Sequence, residues 1–118
     1  MTIFRSSAAL ASLLAACSAG HAGDPPPDPS TPIGKIFGIS TFKDRAAALK
    51  TYAEKRFSDP KGFRAELLRA GFTESRFRDE TGVACQRFDW TDHGAWPVVV
   101  LVGICGKEVF TNAGQIAP

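Results

Sequence analysis

This chain has few of the residues from which catalytic centres are assembled. It holds two histidines and three cysteines in 118 residues. There is no Cys-x-x-Cys pair, no glycine-rich phosphate loop and no Gly-x-Ser-x-Gly elbow, so dithiol redox, nucleotide and α/β-hydrolase chemistry lack their motifs. Histidines, cysteines and carboxylates nowhere fall at the spacing of a three- or four-ligand metal site, and neither a metal nor a cofactor is expected. His93 has Asp92 beside it but no identifiable serine or cysteine nucleophile, and the carboxylates are scattered rather than paired. The expectation is a protein that is not an enzyme. A dominant charge is missing too: the formal net charge of +2 argues against a nucleic-acid partner. No apolar run beyond the opening residues is long enough to cross a bilayer.

The opening residues carry the strongest signal. Arg5 and the amino terminus make a positive n-region, and Ala8 to Leu14 is an apolar stretch too short to span a membrane. Leu14-Ala15-Ala16-Cys17 follows at once. Aliphatic, small, small, Cys resembles the lipobox of bacterial lipoprotein precursors. That resemblance covers residues 1–17 and implies that Cys17 is diacylated on sulfur and becomes the new amino terminus, with residues 1–16 removed as signal peptide. Acyl chains contribute about 0.8 kcal/mol per buried methylene, so two or three hold firmly where one would not. Ser18 after the cysteine, rather than Asp, implies sorting to the outer membrane in enteric bacteria. The alternative is an ordinary secretory signal cleaved after Ala22, at Gly20-His21-Ala22.

If Cys17 carries lipid, Cys85 and Cys105 remain as an even pair in an oxidising compartment. A domain of this size buries a limited core, and a disulfide is a useful staple for it. Residues 17–34 read as a tether: Asp24 to Pro32 carries five prolines in nine residues, an extended spacer rising roughly 3.1 Å per residue. A single small domain over 35–118 follows.

Two helices open that domain. Thr41 with Asp44 resembles a capping box, and Phe42, Ala46, Leu49, Ala53 and Phe57 form one stripe at helical spacing. Ser58 and Asp59 precede Pro60, a residue suited to the first helical position. Phe63, Leu67 and Ala70 repeat the stripe, and Gly71 offers a left-handed C-terminal cap with Phe72 packing back. A helical hairpin over 41–71 is the expectation.

Strand patterns take over after Phe72: a weak run over Thr73 to Arg78, a better one over Val83 to Trp90, and an apolar one from Trp96 to Cys105. Pro97 is tolerable only at the beginning of the last. Lys107 to Thr111 extends it or makes a short final strand. If Cys85 and Cys105 face each other across an antiparallel pair, opposed residue numbers sum to 190. Trp90 then faces Val100, Phe88 faces Val102 and Gln86 faces Ile104, an almost wholly apolar face, with the cysteines on the other. The fold class is therefore α+β: a two-helix hairpin followed by a three- to four-stranded antiparallel sheet with one disulfide. As an architecture alone this order resembles small lipoproteins of outer-membrane assembly and of β-lactamase inhibition, which carries no function.

For recognition, Trp90, Asp92, His93 and Trp96 stand out: two indoles flank a polar turn bearing a carboxylate and an imidazole, the alternative being that both indoles close the end of the sheet onto the helices. Arg45, Tyr52 and Arg56 share one flank of the first helix as a second patch. Charge is unevenly spread, with ten Lys or Arg against five Asp or Glu between Lys43 and Arg78, and two against five from Asp79 onward. A basic half and an acidic half could dock on anionic lipid headgroups or an acidic partner, the alternative being solvated helix faces. These features together point to a non-catalytic envelope lipoprotein, held to the membrane by its lipid, facing the periplasm and contacting another envelope protein or peptidoglycan. The competing reading is a periplasmic inhibitor or immunity protein acting through the Trp90–Trp96 loop.

Overall fold

The computed structural model describes residues 25–92 and 96–116; Cys17 and His93 lie outside them. Among the described residues three helices precede four strands: α1 (Pro32–Phe37), α2 (Phe42–Lys55), α3 (Pro60–Arg69), then β1 (Thr73–Arg78), β2 (Ala84–Thr91), β3 (Val98–Cys105) and β4 (Glu108–Gln115). The strands form one antiparallel meander in the order β1-β2-β3-β4.

Helix α1 has no counterpart in the sequence reading, which gives Pro32 to Gly34 to the tether. Thr31 caps it: its hydroxyl oxygen accepts from the Gly34 amide at 3.0 Å, and its hydroxyl donates to the Asp28 carbonyl at 2.7 Å. Pro32 occupies the first turn, where its missing N–H leaves no bond unmade. The residue at 34 must be glycine, because a Cβ there would sit 1.7 Å from the Asp28 carbonyl oxygen. Ile33 and Ile36 carry α1 into the core.

Helix α2 starts as expected at Thr41, whose side chain accepts from the Asp44 amide while its hydroxyl donates to the Asp44 carboxylate at 2.7 Å. Its stripe buries Leu49 and Ala53, whereas Phe57 falls beyond the helix end and stays exposed. Asp59 caps α3 by accepting from the Gly62 amide at 3.1 Å, ahead of Pro60. The far end is a Schellman turn. Gly71 takes φ +101°, the Phe72 amide donates to the Leu67 carbonyl, and the Gly71 amide donates to Leu68.

The sheet has the register that the cysteines imply. Cys85 pairs with Cys105, Gln86 with Ile104, Phe88 with Val102 and Trp90 with Val100, and a disulfide joins the cysteines across a Cα separation of 4.3 Å. The inner face buries Phe88, Trp90, Val100 and Val102 together with Leu49, Phe63 and Leu67 from the helices. Burying one such side chain is worth about 1.5–3 kcal/mol. The outer face carries the disulfide, and at Gly103 the missing side chain makes room for Phe110. A Cβ at 103 would lie 1.9 Å from that ring. The last segment is a full fourth strand that begins after the turn at Gly106 and Lys107 and runs to Gln115.

Two stability tests follow from this packing. Gly34→Ala should lower stability by about 1–3 kcal/mol, because the backbone over α1 has to move to admit the methyl group. A thermal melt unchanged from the parent would show that α1 is not seated as described. Replacing Cys85 and Cys105 together with Ala should cost about 3 kcal/mol, the chain-entropy value for a cross-link of this span. Denaturant unfolding of the two forms checks it.

Candidate functional site

The turn between α2 and α3 shapes one side of the domain. Arg56 ends α2 and Asp59 begins α3. Both side chains fold over Gly62, where a Cβ would come within 2.2 Å of the Asp59 carboxylate and 2.8 Å of the Arg56 guanidinium. Arg56 Nη2 lies 2.7 Å from Glu66 Oε1 and 3.5 Å from Asp59 Oδ2. Its Nε is buried with no hydrogen-bond partner among the described residues. The other Glu66 oxygen accepts from the Tyr52 hydroxyl, and the Tyr52 ring meets Phe63 edge-on with centroids 5.9 Å apart. Burial pushes the Tyr52 phenol up to about 12, reinforced by Glu66 and opposed by Arg56.

A second set of charges ties α3 to the sheet. Arg64 Nε donates to both Glu74 oxygens, at 2.9 and 3.1 Å, with Nη2 2.8 Å from Oε1. Gln86 adds a longer bond to Glu74 at 3.4 Å, and Arg76 Nη2 stands 4.0 Å away. The Arg64 guanidinium holds the Glu74 carboxyl below the ordinary carboxylate range, against partial burial that raises it. Arg78 turns towards the β1–β2 turn and donates to the Gly82 carbonyl at 2.9 Å.

Between these groups lies a cleft of about 750 Å³. Arg56, Arg64, Arg76 and Arg78 line it, with Phe57 and Phe63 among its apolar walls, and no Asp or Glu is in the lining. The carboxylates of Glu66 and Glu74 hold the Arg56 and Arg64 guanidiniums in place. Each arginine keeps donors to spare, since a guanidinium has five. An arginine-lined concavity with apolar walls suits carboxylate or phosphate groups carried on an apolar body.

The residues singled out from the sequence separate in space. Trp90 is 5% exposed and meets Phe37 edge-on at 4.8 Å. It belongs to the inner face of β2, where the register of the hairpin puts it, and its indole is part of the core. Trp96, by contrast, is 54% exposed. Asp92 Oδ1 accepts from the Val98 amide at 3.0 Å and closes the start of β3. Of the second patch, Tyr52 and Arg56 converge on Glu66, while Arg45 donates to the Ile39 carbonyl and lies over the Phe42 ring. Asp79 places a carboxylate oxygen within 4.8 Å of both sulfurs of the disulfide, yet joined sulfurs are not thiolate ligands. The cleft itself was not read from the sequence, although Arg76 and Arg78, two apart on a strand within the basic half, are its trace there. Comparison with protein-family models, curated proteins and solved structures finds no match to this chain.

The single tyrosine makes the Tyr52–Glu66 contact directly measurable. A phenol raised from 10.0 to about 12 favours the fold in its neutral form. That contribution is whole below pH 10 and is lost as pH rises through about 12. Tyrosinate absorbance should therefore rise near pH 12 in the native protein and near 10 in denaturant. Glu66→Gln should lower the native midpoint part of the way, since burial is the larger cause. Coincident native and denatured titrations would show that the contact is not made.

Proposed function

We propose that this chain is a non-catalytic lipoprotein of the bacterial cell envelope, held by lipid on Cys17, with a small binding or scaffolding domain facing the periplasm. The observation that carries the reading is how its three cysteines divide. Cys85 and Cys105 are consumed by the disulfide across β2 and β3, which suits an oxidising compartment. Cys17 is left at the end of Leu14-Ala15-Ala16-Cys17, where an acyl chain would be attached. Ser18 favours the outer membrane over the inner. Helices α2 and α3 act as a hairpin in this reading, pinned by Tyr52 against Phe63 and Glu66, and present the arginine cleft to a partner. That partner is another envelope protein or peptidoglycan.

A second reading draws on the exposure of Trp96, which lies near the likewise exposed Ile116. An exposed indole at a loop is a common centre of tight protein contacts. In that case the domain is a periplasmic inhibitor or immunity protein, and Trp96→Ala should abolish a tight one-to-one complex with an enzyme while leaving the fold intact.

The test of the leading reading is the intact mass of the protein from the membrane fraction of its host, before and after reduction. An acylated species beginning at Cys17 that gains two hydrogens on reduction is expected. An unacylated species beginning near Gly23 would replace the anchored protein by a diffusible one. A full-length species with free thiols would overturn the compartment altogether.

A further inference from the structure

Strand β1 is an open edge. It pairs with β2 on one side, and no other described strand adjoins it. The opposite edge strand, β4, is tied to α2 by the Thr111 hydroxyl, which donates to the Ala46 carbonyl at 2.6 Å. In β1 every residue except Glu74 is exposed. Alternation puts Arg76 and Arg78 on the inner face, beside the cleft, and Phe77 between them on the outer face. The Arg76 side chain is 72% exposed, and Phe77 is 41% exposed.

We propose that this edge and the adjoining arginine cleft bind an extended acidic segment of a partner protein, added to the sheet as a fifth strand. The proposal names the partner class for the binding domain inferred above and rests on that reading. Backbone bonding to an open edge supplies affinity without regard to sequence, and alternate side chains supply the choice of sequence. A strand laid against β1 places residues two apart opposite Arg76 and Arg78 on the inner face, close enough for cross-strand pairing. Carboxylates at those positions meet two guanidiniums, with Arg56 and Arg64 also in the lining of the cleft. The residue between them points to the outer face, next to Phe77, and there an apolar side chain fits. The recognised pattern is therefore acidic, apolar, acidic. A lipid headgroup surface would satisfy the charges but has neither the alternation nor the backbone groups that an edge strand pairs.

The experiment uses the protein purified from membranes in neutral detergent and a short labelled peptide of alternating Glu and Val. Three controls accompany it: the same composition with its Glu and Val in separate blocks, an alternating Lys and Val peptide, and vesicles of phosphatidylglycerol. The alternating acidic peptide should bind best and weaken as salt rises. Arg76→Glu should weaken it at least roughly tenfold, since like charges then face each other at that position. Should that variant fail to fold, Arg76→Gln must still weaken binding. N-methylation of the Glu amides alone, or of the Val amides alone, should abolish binding in one case and spare it in the other, because an added strand pairs along one side. Equal binding of the block peptide, or an affinity indifferent to Arg76, would overturn the proposal. So would vesicle binding through Arg76 without peptide binding, which would assign the surface to lipid. The intact mass is unaffected by any of these results, so loss of the peptide site and loss of the lipid anchor are told apart.

Discussion

The pairing of β2 with β3 is the constraint on which the rest depends. A strand has a side-chain period of two, so a slip of β2 by one residue would turn Phe88 and Trp90 out to solvent and bring Arg87 and Asp89 inward. The disulfide between Cys85 and Cys105 fixes the one register in which the apolar set faces the helices. Once that register holds, the β1–β2 turn is placed by Asp79, whose carboxylate accepts from the Thr81 and Val83 amides. Those bonds, led by the one from the Thr81 hydroxyl, keep its carboxyl below the ordinary carboxylate range. Gly103 then lies opposite Phe110, and the ring takes the space of the absent side chain on the outer face. One cross-link thus sets both faces of the sheet.

Much of this was legible in the sequence because the signals were local and physical. The caps at Thr41 and Asp59, the Gly71 turn with Phe72 folding back, and the sum of 190 across the hairpin each follow from residues close in sequence or from a covalent bond that only certain registers permit. Helix α1 was not legible. Thr31 followed by Pro32 is an ordinary helix start, but the prolines around it read as an extended spacer, and the close approach of the Asp28 carbonyl to Gly34 is a tertiary fact. The tryptophans were half legible: the register of the hairpin puts Trp90 on the apolar face, whereas nothing local in the sequence places Trp96. Trp90 and Trp96 frame one turn in sequence, yet strand alternation sends Trp90 inward, while Trp96 lies before β3 begins and escapes the sheet.

The cleft was the least legible feature, because its arginines come from three separate elements: Arg56 from the end of α2, Arg64 from α3, Arg76 and Arg78 from β1. A count of charges showed a basic half without showing where it converged. Convergence is arranged by carboxylates. Glu66 draws Arg56 across from α2, and Glu74 draws Arg64 across from α3. Such partly exposed pairs add little to stability, about 0–1 kcal/mol each. Their effect is positional: they fix the Arg56 and Arg64 guanidiniums at the wall of the cleft.

The same arrangement accounts for how an open edge strand is kept from pairing with itself. Two copies of β1 meeting edge to edge and antiparallel about Phe77 would set Arg76 of one against Arg78 of the other, and like charges facing each other across a strand pair oppose association. Glu74 cannot relieve that repulsion readily, since Arg64 already holds both of its oxygens. An edge that rejects its own copy through paired guanidiniums is, for the same electrostatic reason, an edge that accepts a strand with carboxylates at the matching positions. Exclusion of the self-pair and choice of an acidic partner are one property of the inner face of β1, set by two arginines at a spacing of two.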